Sequence, residues 1–368
     1  MESKGSKNSK VIVLLMSLVL LAACSSNKAG PSPSSSNVVT QSDEQVLYNF
    51  IHTKLTGPYG VYTNFQETDQ IGEAASGHEI LSESAGLMMR VAVLIGNKEL
   101  FAAQWKLAKE TFDMKEGFSY RYSPKLQKQY PVNAAVDDLR LIRALYEAGE
   151  TFGEAQYIEQ ADKYGQRFYK NNVKNGYMHD FYDNEYKNVN DSITLCYINL
   201  STLRKLSISD ELRSILLDNM DGILQGGYLS DQFPFYETRF DYKTDKYSSE
   251  NINTVESLLS ILSLAEVDQQ KASSITYIKQ QVDAGTLYGQ YTKEGIPTND
   301  IRSTAIYAIT AMIGSEIGDE TLYHQSIVRM NEFRVSDSSS VLYGGFGDVH
   351  NKQAYSFDNL MALLAYSY

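Results

Sequence analysis

Glu83 is the residue of this chain whose neighbours most invite chemistry. It sits in Ser82-Glu83-Ser84-Ala85-Gly86-Leu87-Met88-Met89-Arg90, the polar opening of an apolar helical run that continues to Val93. An acid in the first turn of a helix is favoured by the macrodipole, so capping is its plainest role. Ser82, Gly86 and Ala92 suggest a second role, because they leave room beside the carboxylate that larger side chains would fill. A carboxyl in a partly dry cleft keeps its proton at neutral pH, and that proton is what a general acid donates. Other polar clusters open later segments: Asp137-Asp138, Asn190-Asp191, Asn251 to Asn253, Asn299-Asp300 and Asp358-Asn359.

Other chemistries find little footing. The five histidines (His52, His78, His179, His324 and His350) show no ligand spacing, so no metal and no cofactor are expected. Gly344-Gly345-Phe346-Gly347 lacks the Lys-Ser/Thr of a phosphate loop, and no serine has a Gly-x-Ser-x-Gly setting. Tyrosine is abundant instead, with 27 Tyr against one Trp. Aromatic planes accept the C–H faces of sugar rings, while Asp, Asn and Tyr bond the hydroxyls. Tyr122 and Tyr182, in the aromatic connections around 117–130 and 176–186, are therefore candidate substrate-binding residues, with ordinary loop packing as the alternative. Cleavage of a glycosidic bond needs one carboxylic acid at the leaving oxygen and a carboxylate opposite it.

The elements that must position these groups begin after a leader. Lys4, Lys7 and Lys10 precede an apolar run from Val11 to Leu21, which is too short to span a bilayer as a folded helix. Leu21-Ala22-Ala23-Cys24 has the form of a lipoprotein cleavage box, so residues 1–23 read as signal peptide and Cys24 as the lipidated residue, anchoring the chain to the outer face of the cell membrane. Residues 24–42, rich in Ser, Asn and Pro, read as a disordered tether. The formal charge of −12 becomes about −14 once three Lys and one Glu leave with the leader, which disfavours nucleic acid and polyanions as partners. Cys196, the other cysteine, has no disulfide partner once Cys24 is lipidated, and it reads as a small core residue on a helix.

Residues 43–368 form the body, in which twelve helices are expected, near 43–55, 79–95, 98–113, 135–149, 153–171, 190–204, 209–223, 251–266, 270–284, 299–315, 319–334 and 354–366. Every second one opens on a polar cluster. Short connections follow those helices, and long aromatic ones, patterned as small β-hairpins, lead into the next. An all-α (α/α)6 barrel satisfies this alternation, with the polar starts and long loops gathered at one end; an open solenoid is the alternative. The final helix is apolar on nearly all sides, which suits a closing inner helix better than a polar end cap.

Ser82-Glu83-x-x-Gly86-x-x-Met89-x-x-Ala92-Val93, followed by Gly96-Asn97-Lys98, Phe101 and Trp105, resembles the general-acid helix of glycoside hydrolase family 8. Ser84 stands where that family has glycine, and Leu87 where it has an aromatic residue. Ala134-Ala135-Val136-Asp137-Asp138-Leu139, with Ala144, Leu145 and Ala148, is similar to a second signature helix. There Asp138 falls on the second aspartate, and Val136 on the first, with Asp137 one place along. The resemblance implies an (α/α)6 barrel acting as a monomer that hydrolyses internal β-linkages, β-1,4 in kind, of a polysaccharide with inversion. Glu83 would be the acid, and Asp137 and Asp138 would position the sugar. By position alone it implies Asp241, in Phe235-Tyr236-Glu237-Thr238-Arg239-Phe240-Asp241-Tyr242, as the base, with Glu237, Asp245 and Glu256 competing. A neutral or amino-sugar exopolysaccharide is the expected substrate. The rival reading is a catalytically inactive barrel that binds such a glycan during export or retention.

Overall fold

A computed structural model describes residues 41–368 apart from 69–71 and 73; the leader, Cys24 and most of the tether lie outside the described residues. Twelve α-helices occur among the described residues. They are α1 (Gln41–Phe50), α2 (Ser82–Leu94), α3 (Lys98–Phe112), α4 (Ala135–Phe152), α5 (Ala155–Asn172) and α6 (Leu200–Lys205), then α7 (Asp210–Gly226), α8 (Thr254–Ala265), α9 (Ala272–Ala284), α10 (Thr304–Glu316), α11 (Glu320–Asn331) and α12 (Ser356–Ser367).

Their side-chain patterns sort them into two layers. α2 and α10 bury residues around nearly their whole circumference. α5 buries one stripe, made by Tyr157, Ala161, Tyr164, Gly165 and Phe168, at the spacing of an amphipathic surface helix. The all-round apolar helices pack in sequence: α2 on α4, α4 on α6 and the turn before it, these on α8, α8 on α10, α10 on α12, and α12 back on α2. Outside them α3 lies on α2, α5 on α4, α7 on α6 and α11 on α10, while α9 leans on α10 and α11 and α1 on α12.

The connections within pairs are tight. Gly153 ends α4 in the left-handed region (φ 67°), where a residue without Cβ turns the chain freely into α5. Gly314 of α10 permits a backbone approach, since a Cβ there would lie 2.6 Å from the Tyr323 nitrogen of α11. The connections into α2, α4, α6, α8 and α10 carry short antiparallel strands instead. Strand 80–81 pairs with 121–123 and that with 128–129; 182–183 pairs with 188–189; 192–194 pairs with 239–241 and that with 246–248; 252–253 pairs with 290–291.

One expected helix is absent as drawn. Instead of a helix over 190–204, Ser192–Thr194 is a strand and Leu195–Tyr197 a single 3-10 turn, and α6 starts only at Leu200. Ile193, Thr194 and Ile198 are β-branched and suit extended backbone. Asn199 then restarts the helix by accepting the Thr202 N–H through its side chain. Cys196 therefore lies in the 3-10 turn, half-buried, rather than on a helix.

Candidate active site

Glu83 and Asp137 occupy the first turns of neighbouring inner helices, and the guanidinium of Arg140 joins them. Arg140 Nη1 donates to Glu83 Oε2 at 3.0 Å and to Asp137 Oδ1 at 2.7 Å. Ser82 Oγ donates to the other Asp137 oxygen at 3.1 Å. The arrangement depends on Gly86, where a Cβ would fall 2.9 Å from the Arg140 Cβ. The small residue lets α4 approach α2 closely and brings Arg140 beside the acid. Arg140 itself follows Asp137 by three residues, so both share one face of α4. Neither α2 nor α4 has a side-chain N-cap.

Glu83 is only 7% exposed. Burial pushes its carboxyl up to about 7, with Arg140 opposing and the Asp137 charge adding to the rise. Burial likewise raises Asp137, against the pull of Arg140 and Ser82. Two carboxylates share one cation in a poorly hydrated place, so a proton is retained between them near neutral pH.

The cluster also takes in Glu256, one of the competing bases, and Asp180, which the sequence did not single out. Asp180 is buried; its backbone carbonyl accepts from Ala135 at the start of α4, and its side chain accepts from Asn190 (2.9 Å) and from the Thr194 backbone. Burial raises its carboxyl. Glu256, in the first turn of α8, is pushed up to about 7 by burial, against Thr238 and Arg239 and with help from Asp180. Burial raises both Cys196 and Tyr197, and Cys196 feels Glu256, Arg140 and Asp180 while Tyr197 feels Asp180 and Asp137. The chemical consequence is a group of acids, poorly hydrated and short of cations, at the starts of inner helices. Glu256 had a sequence signal in its first-turn position on α8, and Arg140 had one in its spacing from Asp137. Asp180 had none.

Of the other expected site residues, Asp138, Tyr122 and Tyr182 lie elsewhere, whereas Asp241 neighbours the cluster through Ser192. Asp138 is 1% exposed and accepts from the Phe118 N–H (3.3 Å) and from Asn133 Nδ2 (3.0 Å), which in turn bonds Asn172 of α5. It pins the connecting loop to the outer layer, so its position does not match the expected sugar contact. Tyr122 packs against Tyr59, with centroids 5.0 Å apart, and its strand partner Gln129 reaches the Thr111 carbonyl of α3. Cross-strand partners share a face, so Tyr122 turns toward the outer layer rather than the carboxylate cluster. Tyr182 is buried, and it feels the charges of Glu116 and Lys187. Asp241 lies opposite Ser192, whose hydroxyl reaches Asp180 at 3.4 Å. Its Oδ1 accepts from Lys243 N, Thr244 N and Thr244 Oγ1, and those bonds to Thr244 and Lys243 lower its carboxyl below the ordinary range.

Among the competing bases, Glu237 is bonded by Lys293 and Ser249, and Asp245 sits in the hairpin turn at φ 55°. Below the acids, Gly86, Leu87, Arg140, Cys196, Met312 and Met361 help line a cavity of about 80 Å³ between the inner helices.

Helices in an inner and an outer layer, with buried carboxylates at inner-helix starts, make up the architecture, and comparisons with known proteins find the same fold elsewhere. No family model matches the sequence. A novel alpha-amylase from Clostridium perfringens is 33% identical, with a TM-score of 0.82 over 91% of this chain and 99% of that one. The Bacillus subtilis protein YdaJ, named as a candidate lipoprotein, is 27% identical over 96% of this chain and 95% of its own length. The endoglucanase Cel10 of Klebsiella pneumoniae, a family 8 glycosyl hydrolase, shares the fold at 15% identity, with a TM-score of 0.60 over 87% and 97% of the two chains. The chain belongs to the family of the Clostridium perfringens protein, a divergent branch on the glycoside hydrolase family 8 fold.

Proposed function

We propose that this protein is a lipid-anchored polysaccharide hydrolase of the outer cell-membrane face, a closed (α/α)6 barrel that cuts internal glycosidic bonds with inversion. The observation that carries the reading is the Arg140 bridge, which holds Glu83 and Asp137 together where burial keeps a proton on Glu83 near pH 7. Glu83 gives that proton to the leaving glycosidic oxygen as its bond to the anomeric carbon breaks. Water attacks the same carbon from the opposite face and loses its proton to Asp241. The two carboxyls are pushed in opposite directions, Glu83 up and Asp241 down, which is the division that an acid and a base require. The bonds to Asp241 fall on Oδ1, so Oδ2 serves the water. Asp137 positions the sugar from beside the acid. The leader's cleavage box and the naming of YdaJ support the anchor.

A second reading concerns the linkage. The sequence resemblance implies β-1,4 bonds, whereas the relative at 33% identity is named an alpha-amylase, which favours an α-linked glucan. The test is reducing-end release from amylose, mixed-linkage β-glucan, chitosan and xylan by the wild type, Glu83→Gln and Asp241→Asn. Release from one polymer by wild type alone supports the assignment and fixes the linkage. Equal release by wild type and Glu83→Gln removes Glu83 from the mechanism. Binding without release by any of the three favours an inactive glycan-binding barrel.

A further inference from the structure

A second aromatic and polar surface lies outside the inner ring. A groove of about 830 Å³ is floored by Asp218, Asn219 and Gly222 of the outer helix α7 and walled by the hairpins that carry Tyr177, His179 and Tyr242. Tyr177 is 36% exposed, and its ring meets that of Tyr242 edge-on at 5.3 Å. The His179 ring meets Tyr242 at 4.8 Å. Its Nδ1 is 2.6 Å from the Asn190 carbonyl, so it carries the hydrogen and leaves Nε2 as an acceptor. Burial lowers the His179 pKa, keeping the ring neutral. Gly222 leaves the floor open, since a Cβ there would meet nothing within 4 Å.

From these features we infer that the groove is a second binding site for a strand of neutral or amino-sugar polysaccharide. Tyr177 offers a plane for a sugar ring, while Asp218, Asn219 and the His179 nitrogen bond hydroxyls. Asp191, Asp218 and Asp245 border the groove against Lys174, and Lys243 is paired to Asp191 at 2.6 Å. That balance disfavours a polyanion and suits an uncharged or cationic chain. The inference rests on the proposed substrate class but not on catalysis. Because the groove is built on an outer helix, a polymer held there would stay on the enzyme between cuts in the inner site.

The test uses the full-length, detergent-solubilised protein carrying Glu83→Gln, in native gels cast with amylose, mixed-linkage β-glucan or chitosan, after its melting curve shows it folded. Tyr177→Ala and Gly222→Gln are added singly; the first removes the plane, and the second fills the floor with a side chain that also suits a helix. Retardation by one of the polymers, weakened at least fivefold by either change, is the expected result. In a Glu83 background, the same two variants should cut a short soluble oligosaccharide at the wild-type rate and the long polymer more slowly. Retardation unaffected by both variants, or no retardation in any gel, overturns the groove. Groove-dependent retardation without hydrolysis by the Glu83 protein would sink the catalytic reading and leave this one standing.

Discussion

The two ends of the inner ring use the same residue types to opposite effect. At the starts of the helices, Glu83, Asp137 and Glu256, with Asp180 beside the start of α4, are served by Arg140 and Arg239, and burial raises all four carboxyls. Some ten residues further along α4, and just beyond the end of α8, stand Glu147 and Glu266, which is about 15 Å away at the helical rise. Here Arg90 bonds Glu147 at 2.9 Å and the Tyr368 hydroxyl at 3.0 Å, while Arg143 bonds Glu147 at 2.7 Å and also bonds Glu266. Burial alone would raise Glu147, but Arg90 and Arg143 pull it down to about 2. The lesson is one of stoichiometry. Two guanidiniums around Glu147 make a locked pair network that closes the far end, whereas an excess of carboxylates over guanidiniums makes a reservoir of protons.

The sharpest way to break this comparison is to neutralise one acid at each end. Glu83→Gln should lower kcat by roughly 100- to 10,000-fold, the usual share of a general acid, with little change in melting temperature. Glu147→Gln should do the reverse, costing about 3 to 5 kcal/mol in denaturant unfolding because it leaves buried guanidiniums short of a counter-charge, with kcat per folded molecule retained. Their pH dependences oppose each other too. Glu147, ordinarily at 4.5, is depressed to about 2, so its stabilisation is present above pH 4.5 and is lost as pH falls toward 2. Glu83 is raised from 4.5 to about 7, so its contribution is complete below pH 4.5 and is lost as pH rises through 7. Unfolding curves from pH 3 to 9 should therefore lose their Glu83 component on the alkaline side in Glu83→Gln and their Glu147 component on the acid side in Glu147→Gln.

The two ends were unequally legible in the sequence. Glu83 was readable because a first-turn acid followed by small residues is a local pattern, and the alternation of short and long connections located the polar helix starts. The layer assignment also followed from local pattern, as in the single apolar stripe of α5. What failed was non-local. Ser192–Thr194 is a strand only because Arg239–Asp241, more than forty residues away, pairs with it. Tyr122 and Tyr182 were judged by composition, but which way a strand residue points depends on its register with a partner. Arg90, Arg143, Glu147 and Glu266 carried no local signal, since nothing in their own segments says that α2, α4 and α8 bring them together.

Arg140 offers a finer test of the reservoir. Replacing it with Gln removes the cation that opposes the rise of Glu83 and Asp137, so the alkaline limb of the kcat profile should move to higher pH, with a loss of about tenfold at the optimum from sugar misplacement. Arg140→Lys keeps the charge but presents a point cation on a shorter reach, and it should restore the position of the limb more fully than the rate. A limb that stays in place in Arg140→Gln would detach Glu83 from the pH profile.

The smallest effect concerns Asp138, adjacent in sequence to Asp137 but rotated about 100° around α4. That rotation separates an acid bonded to Arg140 from one that holds the Phe118 N–H and Asn133. Asp138→Asn keeps an acceptor for one of those donors and turns the other contact into a mismatch, so about 1 kcal/mol of stability should be lost with kcat unchanged. Asp137→Asn should leave stability nearly intact and reduce kcat. If the two phenotypes were exchanged, Asp138 would regain the sugar-positioning role expected from its alignment, and the boundary between reservoir and wall would have to be redrawn one residue along the helix.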